Sequence, residues 1–156
     1  MKNTPIDYKS NLFYIKIYSS IVRPLIDAAF DGAKVSCFAY GQTGSGKTYT
    51  MLGDGNNIKG LYLLAAQDVF NMINSYEDIS VWVSFYEIYC GKLFDLLNDR
   101  QQLHPREDAK QNVNIVGLQE KKVSSVQSLM QIIEFGSSVR VTGVTGANMD
   151  SSRSHA

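Results

Sequence analysis

Eight consecutive residues have the types and spacing of a phosphate-binding loop. Residues 41–48 fit the pattern G-x-x-x-x-G-K-[ST] at every fixed position. Glycines without a Cβ allow neighbouring N–H groups to curl around phosphate oxygens, while the lysine reaches the β- and γ-phosphates and the threonine hydroxyl binds Mg²⁺. The alternative is a Gly/Ser turn before a lysine, but chance produces this pattern at only about a few in 100,000 starting positions. We therefore predict a nucleotide and Mg²⁺ site, with Thr48 on the metal, formed by Gly41, Gln42, Thr43, Gly44, Ser45, Gly46, Lys47 and Thr48.

The segments on either side of this loop support the same prediction. Residues 35–40 form a short apolar run with β-branched and aromatic side chains, which is typical of a buried strand. Residues 48–52 are expected to begin a helix, whose positive end would point at the bound anion. Strand, glycine-rich loop and helix is the order that a phosphate loop requires.

The overall composition is that of an ordinary globular domain. The chain has 156 residues, 44% of them apolar and 19% charged, and its net charge is zero. A neutral chain gives no support for nucleic-acid binding by bulk electrostatics. No apolar run is long enough to predict a membrane span, and the N-terminus lacks the apolar core of a signal peptide. Cys37 and Cys90 are predicted to be free thiols of a cytosolic protein, with Cys37 buried in the strand before the loop.

Hydrophobic periodicity predicts the remaining elements. Apolar residues recur at steps of three and four in three predicted helices, over residues 12–30, 61–73 and 125–140. In the first helix we expect Pro24 to cause a kink and Gly32 to cap the end, and Ser124 or Ser125 should cap the start of the last. The pattern of residues 79–89 predicts one strand inside a covered sheet, and that of residues 93–98 predicts a short helix or turn. Residues 99–123 are predicted to form a strand, a turn at 107–111 and a returning strand.

A polar stretch near the end of the sequence carries a second motif. Residues 148–155 match N-x-x-S-S-R-S-H at all six fixed positions, although alone such a stretch is more simply interpreted as a polar loop. Residues 41–48 are preceded by Phe-Ala-Tyr at 38–40 and followed by Tyr-Thr-Met at 49–51. Together, in this order and spacing, the two motifs resemble the phosphate loop and switch I of kinesin motor domains. The resemblance covers residues 14–156.

The resemblance implies a fold and a catalytic set. The fold would be α/β, the three-layer sandwich of P-loop NTPases that forms the kinesin motor core. Ser151 would lie near the γ-phosphate, and Ser152 would help to hold the water shell of Mg²⁺. Short hydroxyl residues on a mobile loop can sense whether a third phosphate is present. Arg153 would pair with a glutamate of switch II, so the implied catalytic residues are Lys47, Ser151, Ser152 and Arg153.

The resemblance also implies the cofactors and the remaining binding residues. ATP and Mg²⁺ would be the ligands, with Thr48 and Ser152 on the metal side. Tyr49 stands where many kinesins have a histidine against the adenine, and its ring could stack there in the same way. Asn148 would complete the nucleotide-binding set.

Three stretches resemble the kinesin-13 class within the superfamily, namely residues 23–25, 91–98 and 116–120. That class works mainly by removing tubulin from microtubule ends and not by walking. The resemblance therefore implies a microtubule-stimulated ATPase in the cytoplasm, on the microtubule cytoskeleton and the spindle, and a homodimer formed through regions outside this sequence.

The charged segment around residues 104–110 has two interpretations. By composition alone it is a solvated hairpin, and that is the simpler prediction. The segment corresponds to a tubulin-facing loop in kinesins, so the resemblance instead makes His104, Arg106 and Lys110 candidate contacts to an acidic partner.

The sequence contains no D-x-x-G-x-E motif of switch II. We therefore expect residues 1–156 to be a partial kinesin motor domain, from phosphate loop 41–48 through switch I 148–155, with switch II and the C-terminal half absent. The central sheet would be incomplete at both ends, and ATP hydrolysis by the chain alone would be weak or absent. Two alternatives remain: an unrelated P-loop NTPase or small-molecule kinase, and a non-catalytic tubulin- or nucleotide-binding remnant of a motor.

Overall fold

The structure, a computed structural model, describes residues 8–55, 58–144 and 154–155. The chain divides into two units, Met1–Ile79 and Ser80–Ala156, which we call the N-terminal and the C-terminal unit. No helix in these described ranges is long and apolar enough to cross a membrane. The helical segments are α1 (Tyr8–Ile17), a π-helical turn (Tyr18–Val22), α2 (Arg23–Phe30), α3 (Lys47–Leu52), α4 (Leu61–Ile73) and α5 (Val126–Val144). The strands are β1 (Val81–Val83), β2 (Tyr86–Tyr89), β3 (Lys92–Asp95), β4 (Gln101–Glu107), β5 (Val113–Val116), β6 (Lys121–Val123) and β7 (Ser154–His155).

The helix predicted over residues 12–30 is present, and its irregularity lies just before Pro24. Proline has no N–H and its ring crowds the carbonyl four residues earlier, so a regular helix cannot continue through it without loss. The chain widens into a π-helical turn at Tyr18–Val22, in which the N–H of Arg23 donates to the carbonyl of Tyr18. Pro24 then falls in the first turn of α2, where a missing N–H costs least.

The end of α2 confirms the cap predicted at Gly32. The φ angle of Gly32 is +90°, in the left-handed region. Two hydrogen bonds close the helix: the N–H of Gly32 donates to the carbonyl of Ala29 at 3.0 Å, and that of Ala33 donates to the carbonyl of Ala28 at 2.9 Å. This is the Schellman arrangement, which satisfies carbonyls that the helix end would leave unpaired.

The core of the N-terminal unit joins the first helical segments to α4. Four buried side chains form its centre, namely Tyr18, Val22, Ile26 and Leu61, and Met51 of α3 packs against them. The Tyr18 hydroxyl donates to Asp68 at 2.5 Å, and burial together with this carboxylate raises the Tyr18 pKa. Asp68 also accepts from Arg23 at 2.9 Å, so one carboxylate ties α4 to two points on the preceding helices.

The C-terminal unit contains two antiparallel sheets instead of the single strand predicted over residues 79–89. One sheet pairs β1 with β6, and the other has the order β5-β4-β3-β2-β7. That prediction was wrong because the ladder is interrupted at residues 84 and 85. The carbonyl of Phe85 accepts instead from the N–H of Leu96 at 2.9 Å, and β1 and β2 enter different sheets.

Residues 93–98 were predicted as a helix or turn, but residues 92–95 are strand β3. The cause is the two-residue turn that precedes them, in which Cys90 and Gly91 have φ angles of +50° and +75°. Two positive φ angles in succession match the twist of antiparallel strands, so such a turn forms a tight hairpin. Tyr89 therefore pairs with Lys92, and the chain continues as a strand beside β2.

Two further predictions for the C-terminal unit are confirmed. β4 and β5 form a hairpin around a turn held by Asp108, whose Oδ1 accepts from the N–H groups of Lys110 at 2.8 Å and Asn112 at 2.9 Å. Helix α5 begins after Ser125, whose Oγ accepts from the N–H of Ser128 at 3.1 Å. The Ser128 hydroxyl reciprocally accepts from the Ser125 N–H, which completes a capping box.

Candidate nucleotide site

The segment before the phosphate loop does not form the predicted buried strand. Residues 33–40 have no strand pairing within the described part of the chain, and Phe38 and Tyr40 are 83% and 95% exposed. Cys37 is likewise exposed rather than buried, and it is a free thiol, as is Cys90. A strand is stable only when neighbouring strands accept hydrogen bonds from its N–H groups and donate hydrogen bonds to its carbonyls, so an apolar run alone does not suffice.

The loop itself has the backbone shape that its glycines predict. Gly44 and Gly46 have φ angles of +81° and +88°, which residues with a Cβ rarely adopt. At Gly41 a Cβ would lie 2.5 Å from Oγ and 3.2 Å from Cβ of Ser45, so a side chain at this position would force Ser45 to move. The N–H of Ser45 donates to the carbonyl of Gln42 at 3.1 Å and closes the turn.

Lys47 joins the beginning of the loop to its end. Its Nζ donates to the carbonyls of Gly41 and Gln42, each at 2.8 Å. Helix α3 begins at Lys47, and the N–H of Thr50 donates to the carbonyl of Gly46 at 2.8 Å. The N–H groups of Lys47 and Thr48 precede that bond and so have no acceptor within the helix. The ammonium group and two helix-start N–H groups thus belong to one short segment.

These groups suit a phosphate chain with its magnesium ion. Residues 41–46 and Thr48 are exposed, so their N–H groups and the Thr48 hydroxyl are accessible to a ligand. Successive N–H groups in left-handed and turn conformations form an anion-binding concavity, and a hydroxyl is a ligand that Mg²⁺ accepts. The donor set present therefore fits Mg²⁺-bound triphosphate.

Tyr49 lies beside the loop and contacts a second aromatic ring. It is 40% exposed, and its ring centroid lies 5.9 Å from that of Tyr14, with the planes inclined by 63°. Tyr14 belongs to α1 and was not among the residues predicted for the site. Sequence spacing gave no signal for it, because it precedes the loop by a whole helical segment.

The second motif falls mostly outside the described residues. The structure does not describe the predicted site residues Asn148, Ser151, Ser152 and Arg153. Ser154–His155 form β7, which pairs antiparallel with β2 so that His155 is opposite Ile88. The end of the motif is therefore located in the sheet of the C-terminal unit.

The three candidate partner contacts lie on one exposed hairpin. His104 and Arg106 are both exposed and, being two residues apart in β4, they share one face of the sheet. Lys110 is exposed in the turn that follows. The arrangement brings a histidine and two cations to the same end of the C-terminal unit.

Two buried charged residues, Glu87 and Asp95, were not predicted from the sequence. Glu87 lies in β2 with no exposed surface, and its Oε1 accepts from Nε of Arg100 at 2.8 Å. Nε of Arg140 in α5 lies 3.7 Å from Oε2 of the same carboxylate. Glu87 thus links the sheet to the helix that leads towards the second motif. Its sequence context of alternating apolar residues is equally typical of an exposed strand position, so burial could not be inferred.

Comparisons with known proteins agree with the two motifs. The sequence matches the family of the kinesin motor domain over residues 8–156. Kinesin-like protein KIF24 of Homo sapiens is 54% identical over 143 residues, and so is its namesake in Mus musculus. Each alignment covers 90% of this chain but 10% of the relative, so the chain spans about a tenth of the length of these curated relatives.

A solved structure of a fast kinesin is similar in fold. The match has a TM-score of 0.79 and 34% sequence identity, and it covers 88% of this chain and 41% of that chain. This likeness confirms the predicted fold class, that of the kinesin motor core. On the sequence match over nearly its whole length, the chain belongs to the kinesin motor-domain family.

Proposed function

We propose that residues 41–48 bind ATP with Mg²⁺, and that the protein to which this motor-domain sequence belongs couples ATP hydrolysis to microtubule binding. The observation that carries the proposal is the loop itself. Lys47 reaches back to the carbonyls of Gly41 and Gln42 at 2.8 Å, and Gly46 turns the chain so that helix-start N–H groups are accessible. The family match supports the motor activity.

Different residues of the chain bind the phosphates and the metal ion. Backbone N–H groups of the loop orient the phosphates, and the Lys47 ammonium neutralises charge that develops during phosphoryl transfer. Thr48 supplies a hydroxyl to the metal side, as Ser152 does in this proposal. Magnesium, when bound, would be held on the side of Thr48 and Ser152 and would neutralise negative charge on the phosphates.

The second motif supplies the remaining roles in this proposal. Ser151 senses the γ-phosphate, Arg153 forms the ion pair that closes the site, and Asn148 contributes to nucleotide binding. The support for these roles is the match of residues 148–155 to switch I. Tyr49 provides the surface on which the adenine stacks.

The finer class in this proposal is kinesin-13, with removal of tubulin from microtubule ends as the output. Its support is the resemblance at residues 23–25, 91–98 and 116–120. The protein would then act on cytoplasmic microtubules, including the spindle, as a homodimer formed outside these residues. Stabilised microtubules distinguish the outputs: shortening from the ends supports kinesin-13, whereas gliding without shortening rejects that class.

The exposed hairpin favours a second candidate function, tubulin binding without ATP turnover. His104, Arg106 and Lys110 are exposed side chains that could contact an acidic partner, although Glu107 and Asp108 lie on the same hairpin. These contacts do not depend on the phosphate loop. Co-sedimentation with microtubules and an ATPase assay on the same preparation separate the two candidates. Binding with stimulated phosphate release supports the motor, and binding with no release at any microtubule concentration supports the second candidate.

Charge reversal tests the hairpin contacts directly. Arg106→Glu together with Lys110→Glu should weaken co-sedimentation, and the loss should be larger at low salt because screening reduces exposed charge pairs. The matched control is Lys34→Glu together with Lys59→Glu, which reverses two exposed lysines of the N-terminal unit. Equal effects of the hairpin and control variants would reject the assigned contacts.

A further inference from the structure

We propose that Tyr14 is a positioning residue for the nucleobase and acts through the ring of Tyr49. The inference rests on the proposed function, because it assumes that residues 41–48 hold the triphosphate. Its basis is the contact between rings of α1 and α3, with centroids 5.9 Å apart and planes inclined by 63°. In this edge-to-face arrangement the positive edge of one ring meets the negative face of the other.

Tyr49 is placed to receive a base. It lies in the first turn of α3, two residues after Lys47, so its ring projects from the same short helix that begins the phosphate site. At 40% exposure, part of the ring is covered and part is accessible. A nucleobase is a flat π-system that stacks on an accessible aromatic surface.

Tyr14 restricts the ring that the base would contact. A half-exposed tyrosine on a helix of six residues exchanges between rotamers unless a neighbour limits it. Tyr14 supplies that limit from another helix. Its ring also contacts that of the adjacent Phe13, whose centroid lies 5.7 Å away at an angle of 79°. Ordering the Tyr49 ring before binding reduces the entropy that the ligand must remove.

The helices that carry the two rings pack against the same core. Ile17, three residues after Tyr14, packs against the centre of the N-terminal unit, and so does Met51, two residues after Tyr49. The core therefore holds the two helices at a fixed separation, which brings the rings within contact distance. Tyr14 is consequently able to orient Tyr49 whatever conformation the loop adopts.

This arrangement separates recognition of the base from recognition of the phosphates. Backbone N–H groups and Lys47 contact phosphate oxygens, and the Tyr14 ring supplies none of these groups. Loss of the Tyr14 ring should therefore weaken the binding of ATP and leave the binding of inorganic tripolyphosphate unchanged. A merely structural role would weaken both ligands together.

Calorimetric titration of the 156-residue chain in Mg²⁺ with ATP and with tripolyphosphate tests the proposal. Tyr14→Leu should weaken ATP about two- to tenfold, the ratio that an aromatic pair typically gives, with tripolyphosphate unchanged. Tyr14→Phe keeps the ring and should restore ATP binding. The control Tyr76→Leu removes another aromatic pair of the same unit, with Phe30 at 5.3 Å, and should alter neither ligand. Tyr14→Met replaces the leucine variant if that variant does not melt cooperatively.

A double-mutant cycle decides whether Tyr14 acts through Tyr49. In a Tyr49→Leu background, Tyr14→Leu should have no further effect on ATP affinity. The inference would be overturned if the two substitutions weaken ATP binding additively, or if Tyr14→Leu leaves ATP binding unchanged. It would also be overturned if Tyr14→Leu weakens ATP and tripolyphosphate binding equally. A wild-type chain that binds tripolyphosphate and ATP equally overturns base recognition alone, whereas one that binds neither overturns the proposed function as well.

Discussion

Gly46 offers the most direct test of how the loop conformation contributes to binding. Its φ angle is +88°, and a Cβ added there would have no atom within 4 Å. Gly46→Ala therefore introduces no collision, and its cost is the left-handed backbone alone, about 1–2 kcal/mol for a residue with a Cβ. Because the loop is exposed, we expect it to relax to another conformation in the absence of ligand. Mg²⁺-ATP must then restore the original conformation, which lowers its affinity about five- to thirtyfold.

Gly32 provides a matched control for this prediction. Its φ angle is +90° with no atom within 4 Å of an added Cβ, so Gly32→Ala carries the same backbone cost at the end of α2. Calorimetric titration with Mg²⁺-ATP and thermal melting should be measured on both variants. Gly32→Ala should lower the melting temperature without changing ATP affinity. Wild-type affinity in Gly46→Ala, or equal weakening in the two variants, would refute the reasoning.

Three further predictions concern the C-terminal unit. Gly136→Ala should destabilise this unit despite the better helix propensity of alanine, because the Cβ would lie 2.3 Å from the Phe85 ring. Such overpacking lowers the free energy of unfolding by about 1–3 kcal/mol. Phe85→Leu should relieve the clash, as a double-mutant cycle measured by urea unfolding would show. Glu87→Gln should lower the free energy of unfolding by about 3 kcal/mol in the same assay, because Arg100 would keep its charge beside a neutral buried side chain. An unchanged free energy of unfolding would contradict the ion pair. Hydrogen bonds from its turn lower the Asp108 pKa from 3.8, so its carboxylate stabilises the hairpin above that value. This contribution disappears as the pH falls through the lowered pKa. The protection factors of the hairpin amides, which compare their exchange with that of an unfolded chain at the same pH, should fall there, and Asp108→Ala should remove that step.

The elements that the sequence predicted well are those determined by local chemistry. The phosphate loop follows from its glycine and lysine spacing, and the start of α5 follows from a serine that caps it. The Gly32 cap and the β4–β5 hairpin are similar cases. In each, the residues that determine the conformation are within a few positions of one another.

The failures concern strands, whose partners lie far away in sequence. Residues 35–40 have a strand-like composition, but no described segment pairs with them. Residues 79–89 look continuous, yet Phe85 bonds to Leu96 and divides the run between two sheets. Tyr14 was missed for the same reason, since its contact with Tyr49 depends on how α1 and α3 pack against the core.

The central claim is that residues 41–48 form a site for Mg²⁺-ATP, and thermal melting of the chain with and without this ligand tests it most directly. A ligand that binds only the folded state stabilises it by about 2.7 kcal/mol at a concentration of 100 times Kd. We predict a rise in melting temperature that is lost in Lys47→Ala and kept in the control Lys34→Ala, which alters an exposed lysine before the loop. The same rise in Lys47→Ala, or no rise in the wild-type chain, would contradict the account.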